Sequence, residues 1–317
     1  MSLFARSLPL VTGLAVLLGT TGCEVENCKG EDGEDAVCAK SLTRFNGEDI
    51  QPDSYAYVPG TSVTVDGNYG NIEVLEGHEG RVSVLFQPFN YRAYDEEDDA
   101  RDEIENSLDT SFDQDDAGNV TVSTGRHDSS NGLGADITLY VPPEFDGALV
   151  LRNDSDGPVN PGNVDARFVG QAVSVEVSTD SLGDCSVDSS GSVIFTRAHC
   201  DGEIEVTNVS DELDLVSTGL SGSISVILRE IHEGSPGGFI QSEDGDITLD
   251  FPGGAAFTVQ AQATEDGAID DGALGDACVA DAASDTAKSY TCNDGGPNYV
   301  VNAGVDGVGP SSVELLF

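Results

Sequence analysis

Cysteines, histidines and a large surplus of carboxylates are the side chains of this chain equipped for chemistry, and their spacing argues for staples over catalysis. Setting Cys23 aside, the cysteines fall as three local pairs: Cys28 with Cys38, Cys185 with Cys200, and Cys278 with Cys292. Each pair closes a loop of roughly 11 to 16 residues, and a disulfide over such a loop contributes around 3 kcal/mol on the chain-entropy model. Six cysteines allow many connectivities, so nearest-neighbour pairing is a preference drawn from loop closure. Staples of this kind form in an oxidising compartment. Zinc is the rival use, but no CxxC pair or neighbouring histidine supports it. His78, His127, His199 and His232 stand apart and share no ligand spacing. The Asp-Gly corner at Asp244 and Asp246 supplies the calcium candidates, whereas the EDGEDA run between Cys28 and Cys38 lacks the ligand spacing of an EF-hand loop.

Carboxylates are so numerous, 58 against 13 basic residues, that finding two close together says nothing about acid–base catalysis. A carbohydrate-active enzyme on a β-helix would set acids beside a cationic base. Here Arg152, Arg167, Arg197 and Arg229 are spread along the chain. HExxH, GxSxG, a P-loop and a dinucleotide fingerprint are all missing, so no catalytic residue is assigned. The net charge of -45 repels polyanions, and no Lys/Arg cluster inverts that field locally, so nucleic acid is not an expected partner. The acidity itself serves solubility and keeps strand edges from associating.

The elements that must position these residues are short strands. Between Gly202 and Phe251, Ile204 and Val206, Leu213 and Leu215, Ile224, Val226 and Leu228, Phe239, then Ile247, Leu249 and Phe251 alternate with polar residues, which turns one apolar face inward on each strand. Gly, Asp, Asn and Ser punctuate them, supplying positive φ and side-chain-to-backbone hydrogen bonds at tight corners. With 38 Gly, one Met and no Trp, the interior must be aliphatic. One helix is predicted, over about 94–108, where Ala100, Ile104 and Leu108 recur on one face behind an acidic first turn. Arg101 on it can pair with Glu97 or Glu105. The expected fold is all-β, a stack of coiled strands in preference to a β-sandwich, because the turns are short and the core has few aromatics.

Taken in order, residues 1–22 read as an export signal with Arg6 and the apolar run LPLVTGLAVLLG, too short to span a bilayer comfortably. Gly22-Cys23 after this run resembles a bacterial lipoprotein signal, although Thr20 replaces the usual aliphatic residue three before the cysteine. The resemblance implies lipidation of Cys23 and a membrane anchor in the cell envelope, most simply the outer membrane; ordinary cleavage and secretion is the alternative. Residues 24–47 read as an acidic, disulfide-closed tether, 48–147 as an N-terminal β block containing the helix, and 148–317 as stacked strands ending in a cap. The whole of 48–317 is expected to form one continuous domain.

The G-x-I-x-V type stretches GEIEV, GSISV and GDITL, the YVVNA near the end and the helix before the repeats together resemble the bacterial adhesin-like, or GIN-like, group of β-solenoid domains found on exported proteins and lipoproteins. The resemblance implies a single-stranded, right-handed parallel β-helix over roughly Ile50 to Phe317 and carries no catalytic motif. The function expected from all this is a non-catalytic envelope lipoprotein acting as a structural or adhesive module for a surface glycan or protein. A calcium-dependent binding module and a carbohydrate-active enzyme are the alternatives.

Overall fold

The computed structural model describes residues 23–317, apart from 30–34, 94, 127–131, 154–161, 169–171, 180–182, 190–192, 208–209, 221, 233 and 306–308. Side chains before Leu42 lie outside this description. So do the export signal, most of the EDGEDA run, His127, and the side chains of Cys23, Cys28 and Cys38.

The described residues are mostly in strands, because alternating aliphatic residues leave a pleated ribbon with one face to bury. It begins with β1 (Cys23–Lys29), β2 (Asp35–Asn46), β3 (Tyr55–Ala56), β4 (Val63–Gly67), β5 (Ile72–Glu76) and β6 (Arg81–Ala93). The helix α1 (Glu97–Ser107) follows, then β7 (Leu108–Gln114), β8 (Val120–Arg126), β9 (Leu133–Val141), β10 (Ala148–Asn153) and β11 (Val164–Phe168). Next come β12 (Ser174–Thr179), β13 (Cys185–Ser189), β14 (Val193–Cys200), β15 (Ile204–Thr207), β16 (Ser210–Leu220), β17 (Ile224–Ile227), β18 (Gly237–Asp244) and β19 (Ile247–Asp250). The last are β20 (Phe257–Gln262), β21 (Ile269–Asp270), β22 (Cys278–Ala283), β23 (Ala287–Cys292), β24 (Asn298–Ala303) and β25 (Val313–Leu316).

These strands form two large sheets, one of 13 strands and one of 12. From β10 to β19 each successive strand belongs to the opposite sheet, and each of β10 to β17 pairs in parallel with the strand two positions on. Antiparallel pairing is confined to the flanks. At one side β6 pairs with β2 and β9, and β7 with β8; at the other, β23 pairs with β20 and β22. The facing antiparallel layers of a hairpin sandwich are therefore not what fills the middle of the molecule. The strand pairing also runs unbroken across residue 148, since β10 pairs with β4 and β11 with β5.

Both sheets turn their aliphatic faces onto one contiguous core, in which Val63, Val65, Ile72, Val74, Leu213, Leu215, Ile247 and Leu249 are at most 2% exposed. Burying each such side chain is worth about 1.5–3 kcal/mol. Phe251 and Phe257 stack inside it with ring centroids 3.8 Å apart.

The corners explain the recurrent glycine. Gly202, Gly222 and Gly245 open β15, β17 and β19, and they stack on one another: a Cβ at Gly245 would sit 2.3 Å from the Gly222 carbonyl oxygen, and one at Gly222 2.8 Å from that of Gly202. Only a residue without a side chain lets the chain pass so close. Beside them, buried polar residues at the ends of the opposite strands donate to the same corner carbonyls. Asn153 Nδ2 reaches Gly162 O at 2.8 Å, Thr179 Oγ1 reaches Gly183 O at 2.7 Å, Ser217 Oγ reaches Gly202 O at 2.8 Å, and Ser242 Oγ reaches Gly222 O at 2.9 Å. Carbonyls buried without partners would cost free energy, so this column satisfies the turns from inside.

The helix falls within the predicted stretch, with Ala100 and Ile104 buried and Arg101 paired to Glu97 at 2.9 Å, but Leu108, expected on its apolar face, has extended backbone and opens β7 instead. The helix covers β6, whose Asn90 and Arg92 both donate to Glu103. Two further features differ from the sequence reading. Leu42–Asn46, assigned to a tether, hydrogen-bonds with Phe89–Ala93 as part of the 13-stranded sheet, with Leu42 and Phe45 buried. And the C-terminal strands, expected to cap the stack, lie inside it. β24 pairs with β18 on one side and β20 on the other, and β25 sits between β19 and β21. The cause is that Tyr299, Val301, Val313 and Leu315 are at most 1% exposed, so this strand pair buries as fully as any before it. The edge of the 12-stranded sheet passes instead to β22 and β23, tied by the Cys278–Cys292 disulfide.

Candidate functional site

Of the residues singled out by their chemistry, Cys185, Cys200, Cys278 and Cys292 form two disulfides. Cys185–Cys200 joins β13 to β14 and so bridges the two sheets across the core, both residues being buried. Cys278 and Cys292 face each other directly in an antiparallel pair. The calcium candidates part company at their corner: Asp244 ends β18, while Asp246 Oδ1 accepts the Ser312 N–H at 2.7 Å. Among the described residues no three His, Cys, Asp or Glu side chains gather in a metal-sized group.

What the strand order does assemble is a polar face that the sequence reading missed. On β18, β24 and β20, Ile240, Val301 and Ala261 point inward, so the residues next to them, Gln241, Asn302 and Gln262, point outward. The register places these three carboxamides side by side on adjacent strands, Gln241 opposite Asn302 and Asn302 opposite Gln262. A second outward row lies two residues back along the strands, formed by Phe239, Val300 and Gln260. Phe239, expected from its alternation to face the core, is 39% exposed instead, because Ile240 beside it takes the inward position on β18; it leaves a large aromatic surface on the outside of the sheet.

The carboxamide row forms the floor of a trough of about 490 Å³, closed at its end by Thr264, Glu265 and Asp266 and by the turn at Gly304. Gly304 has φ +69°, and a Cβ there would meet Thr264 Cγ2 at 2.3 Å, so the turn requires glycine. A second hollow of about 360 Å³ continues from the trough past Gln260 and Lys288, sharing Gln262 and Asn302 as its wall. Among the described residues the side-chain amides of Gln241, Gln262 and Asn302 make no hydrogen bond, and each offers two donors and an acceptor outward.

Along the same outer face, on β12, β14 and β16, the row turns ionic. Arg197 Nε donates to Asp214 Oδ2 at 2.9 Å and its guanidinium lies 3.5 Å from Glu176, while His199 Nε2 is 3.3 Å from Asp214. The Asp214 hydrogen bond, followed by the charges of Asp214 and Glu176, holds Arg197 still more firmly protonated than usual. Arg152 pairs with Asp66 at 3.2 Å on the strands before. These cations are already matched by carboxylates, so this stretch presents balanced charge.

No family model matches the chain, nor does any curated protein sequence. Solved structures do resemble it. They include a candidate cell adhesion protein from Clostridium sporogenes, at 9% identity over 84% of this chain and 99% of that one, with a TM-score of 0.31. A candidate adhesin from Bacteroides fragilis has 12% identity over 85% and 97% of the two chains, with a TM-score of 0.39. One from Parabacteroides merdae has 9% identity over 86% and 97%, with a TM-score of 0.28. These neighbours are adhesin-like in name; a likeness this loose fixes neither ligand nor site. Among the described residues no helix is long and apolar enough to cross a membrane.

Proposed function

We propose that this protein is a non-catalytic, adhesin-like binding module of the cell envelope. In this reading it is held by a lipid on Cys23, winds as a two-sided β-solenoid, and binds its ligand on the trough floored by Gln241, Asn302 and Gln262. The winding is supported by the alternation of parallel strands between the sheets. The single observation that carries the binding role is the row of uncharged, outward-facing amides on a body whose net charge is -45. A surface kept soluble by carboxylates has no need of neutral amides lined up in a concavity; a ligand read by hydrogen bonds does.

The test is retention of the detergent-solubilised full chain on a mixed array of surface glycans and matrix proteins, with calcium and with chelator. The wild type is expected to be retained equally in both, and the paired change Gln241→Ala with Gln262→Ala to weaken retention by about tenfold, a loss of about 1.4 kcal/mol. Retention unchanged in the paired variant, or an array that captures nothing, removes the trough as the binding surface. Loss on chelation transfers the role to a calcium-dependent module.

A further inference from the structure

The trough also has a direction. Neighbouring strands in a sheet lie about 4.8 Å apart, so Gln241, Asn302 and Gln262 form a row that crosses the strands and steps by about that distance from amide to amide. The row of Phe239, Val300 and Gln260 runs alongside it, about 7 Å away. We infer that the ligand is a neutral, linear glycan lying across the strands, with one sugar unit over each strand, its ring faces on Phe239 and Val300 and its hydroxyls on the amide row. This rests on the trough being the binding surface and adds the ligand's class and its orientation.

Four observations select this occupant. A carboxamide offers donor and acceptor together, which matches a hydroxyl, itself both, without asking for charge on the ligand. A polyanion is turned away by a body of -45 and by Glu265 and Asp266 at the trough's end. An extended peptide adding to the sheet is excluded at this place, because β24 is hydrogen-bonded on both sides and offers no free backbone edge. A folded protein partner would demand a wider apolar centre than Phe239 and the half-buried Val300 provide. What remains is a chain of polar edges and apolar ring faces repeating at close to the strand spacing.

The experiment titrates the full chain, in detergent, with neutral oligosaccharide series of β-1,4-glucan, β-1,3-glucan, xylan and mannan, from about two to about six units, so that the longest outrun β18, β24, β20 and β23, the strands that line the trough and the hollow beyond it. Oligogalacturonates of the same lengths run alongside. At least one neutral series is expected to bind, with affinity rising up to about four units and then levelling, as successive strands are engaged. Phe239→Ala, at an exposed position whose loss leaves the core intact, should weaken every length by about tenfold. Gln262→Ala, two strands further along, should weaken only the longer members. Thermal melting of both variants checks that they fold.

Outcomes that overturn the inference separate from those that overturn the binding role. Affinity independent of length, or Phe239→Ala binding like wild type, sinks the orientation while array retention through Gln241 and Gln262 still stands. Binding to oligogalacturonates alone sinks the neutral class. Failure of every neutral series, with array capture by a protein retained, sinks the glycan altogether.

Discussion

Tyr57 and Asp146 share a hydrogen bond across 89 residues of chain. The phenol donates to Asp146 Oδ1 at 2.5 Å, the Gly60 N–H donates to the same oxygen at 2.6 Å, and the Asp146 N–H donates back to the phenol oxygen at 2.9 Å. Burial, and then the bond to Asp146, pushes the Tyr57 phenol up to about 12, while the bond from Tyr57, joined by the one from Gly60, lowers Asp146. The signs fix two pH windows. A raised phenol contributes stability that is whole below its unfolded value of about 10 and is lost as pH rises through about 12. A depressed carboxylate contributes stability present above its unfolded value of about 3.9 and lost as pH falls through its lowered folded value. Asp146 is exposed, so solvent screening limits the pair to under about 1 kcal/mol. Tyr290 and Asp271 repeat the arrangement with Lys288 added, burial again raising the phenol and Tyr290 lowering the carboxylate. In an alkaline absorbance titration, Tyr57→Phe should remove one of the last tyrosines to ionise and leave the early ones untouched. If the lost amplitude instead comes from near pH 10, the Asp146 bond does not persist in solution. Nothing in the order of residues hints at either pair, because their proximity depends on which strands become neighbours.

At the scale of elements the corners decide stability. Gly245→Ala would thrust a Cβ to 2.3 Å from the Gly222 carbonyl oxygen, where the obstacle is backbone held by strands on both sides and cannot swing away. The expected cost is about 2–4 kcal/mol, read as a large fall in denaturation midpoint. Gly253→Ala, which meets nothing within 4 Å, should melt with the wild type. Equal melting of the two variants would mean that the corners are not stacked as described. This feature was legible in part: GEIEV, GSISV and GDITL show the glycine before each inward aliphatic. The same spacing recurs at Gly70, Gly162 and Gly183 in GNIEV, GNVDA and GDCSV, which the sequence reading passed over. Their inward positions carry Ala and Cys in place of some aliphatics, which weakens the alternation to the eye but not to the core.

At the scale of the whole molecule, charge bears on how the body is held. Under the proposed export, cleavage before Cys23 would remove Arg6 and no acid, leaving a strongly anionic body that acidic lipid headgroups repel. In the proposed anchored form, attachment would therefore rest on acyl chains at Cys23, two or three of which suffice. Radiolabelled palmitate should mark the wild type and not Cys23→Ala; labelling that survives the substitution, or never occurs, discards the anchor. Small-angle scattering of the same detergent samples should return an elongated particle, and a compact one would discard the winding. The residues by themselves determined the all-β class, the helix α1 and most of the inward alternation, since each follows from spacing within one strand or one turn, while loop closure made the local partners of Cys185 and Cys278 the preferred ones and the structure joined them. Only the tertiary structure decided the order of the strands. Because every inward face offers much the same Val, Ile and Leu, many stackings bury the core almost equally well on paper. The order found threads β24 between β18 and β20 and sets the Tyr299 ring edge-on against Phe251 in the core. The amide row exists because of that order. Gln241, Gln262 and Asn302 are ordinary outward residues on three distant strands until the stack sets them next to one another.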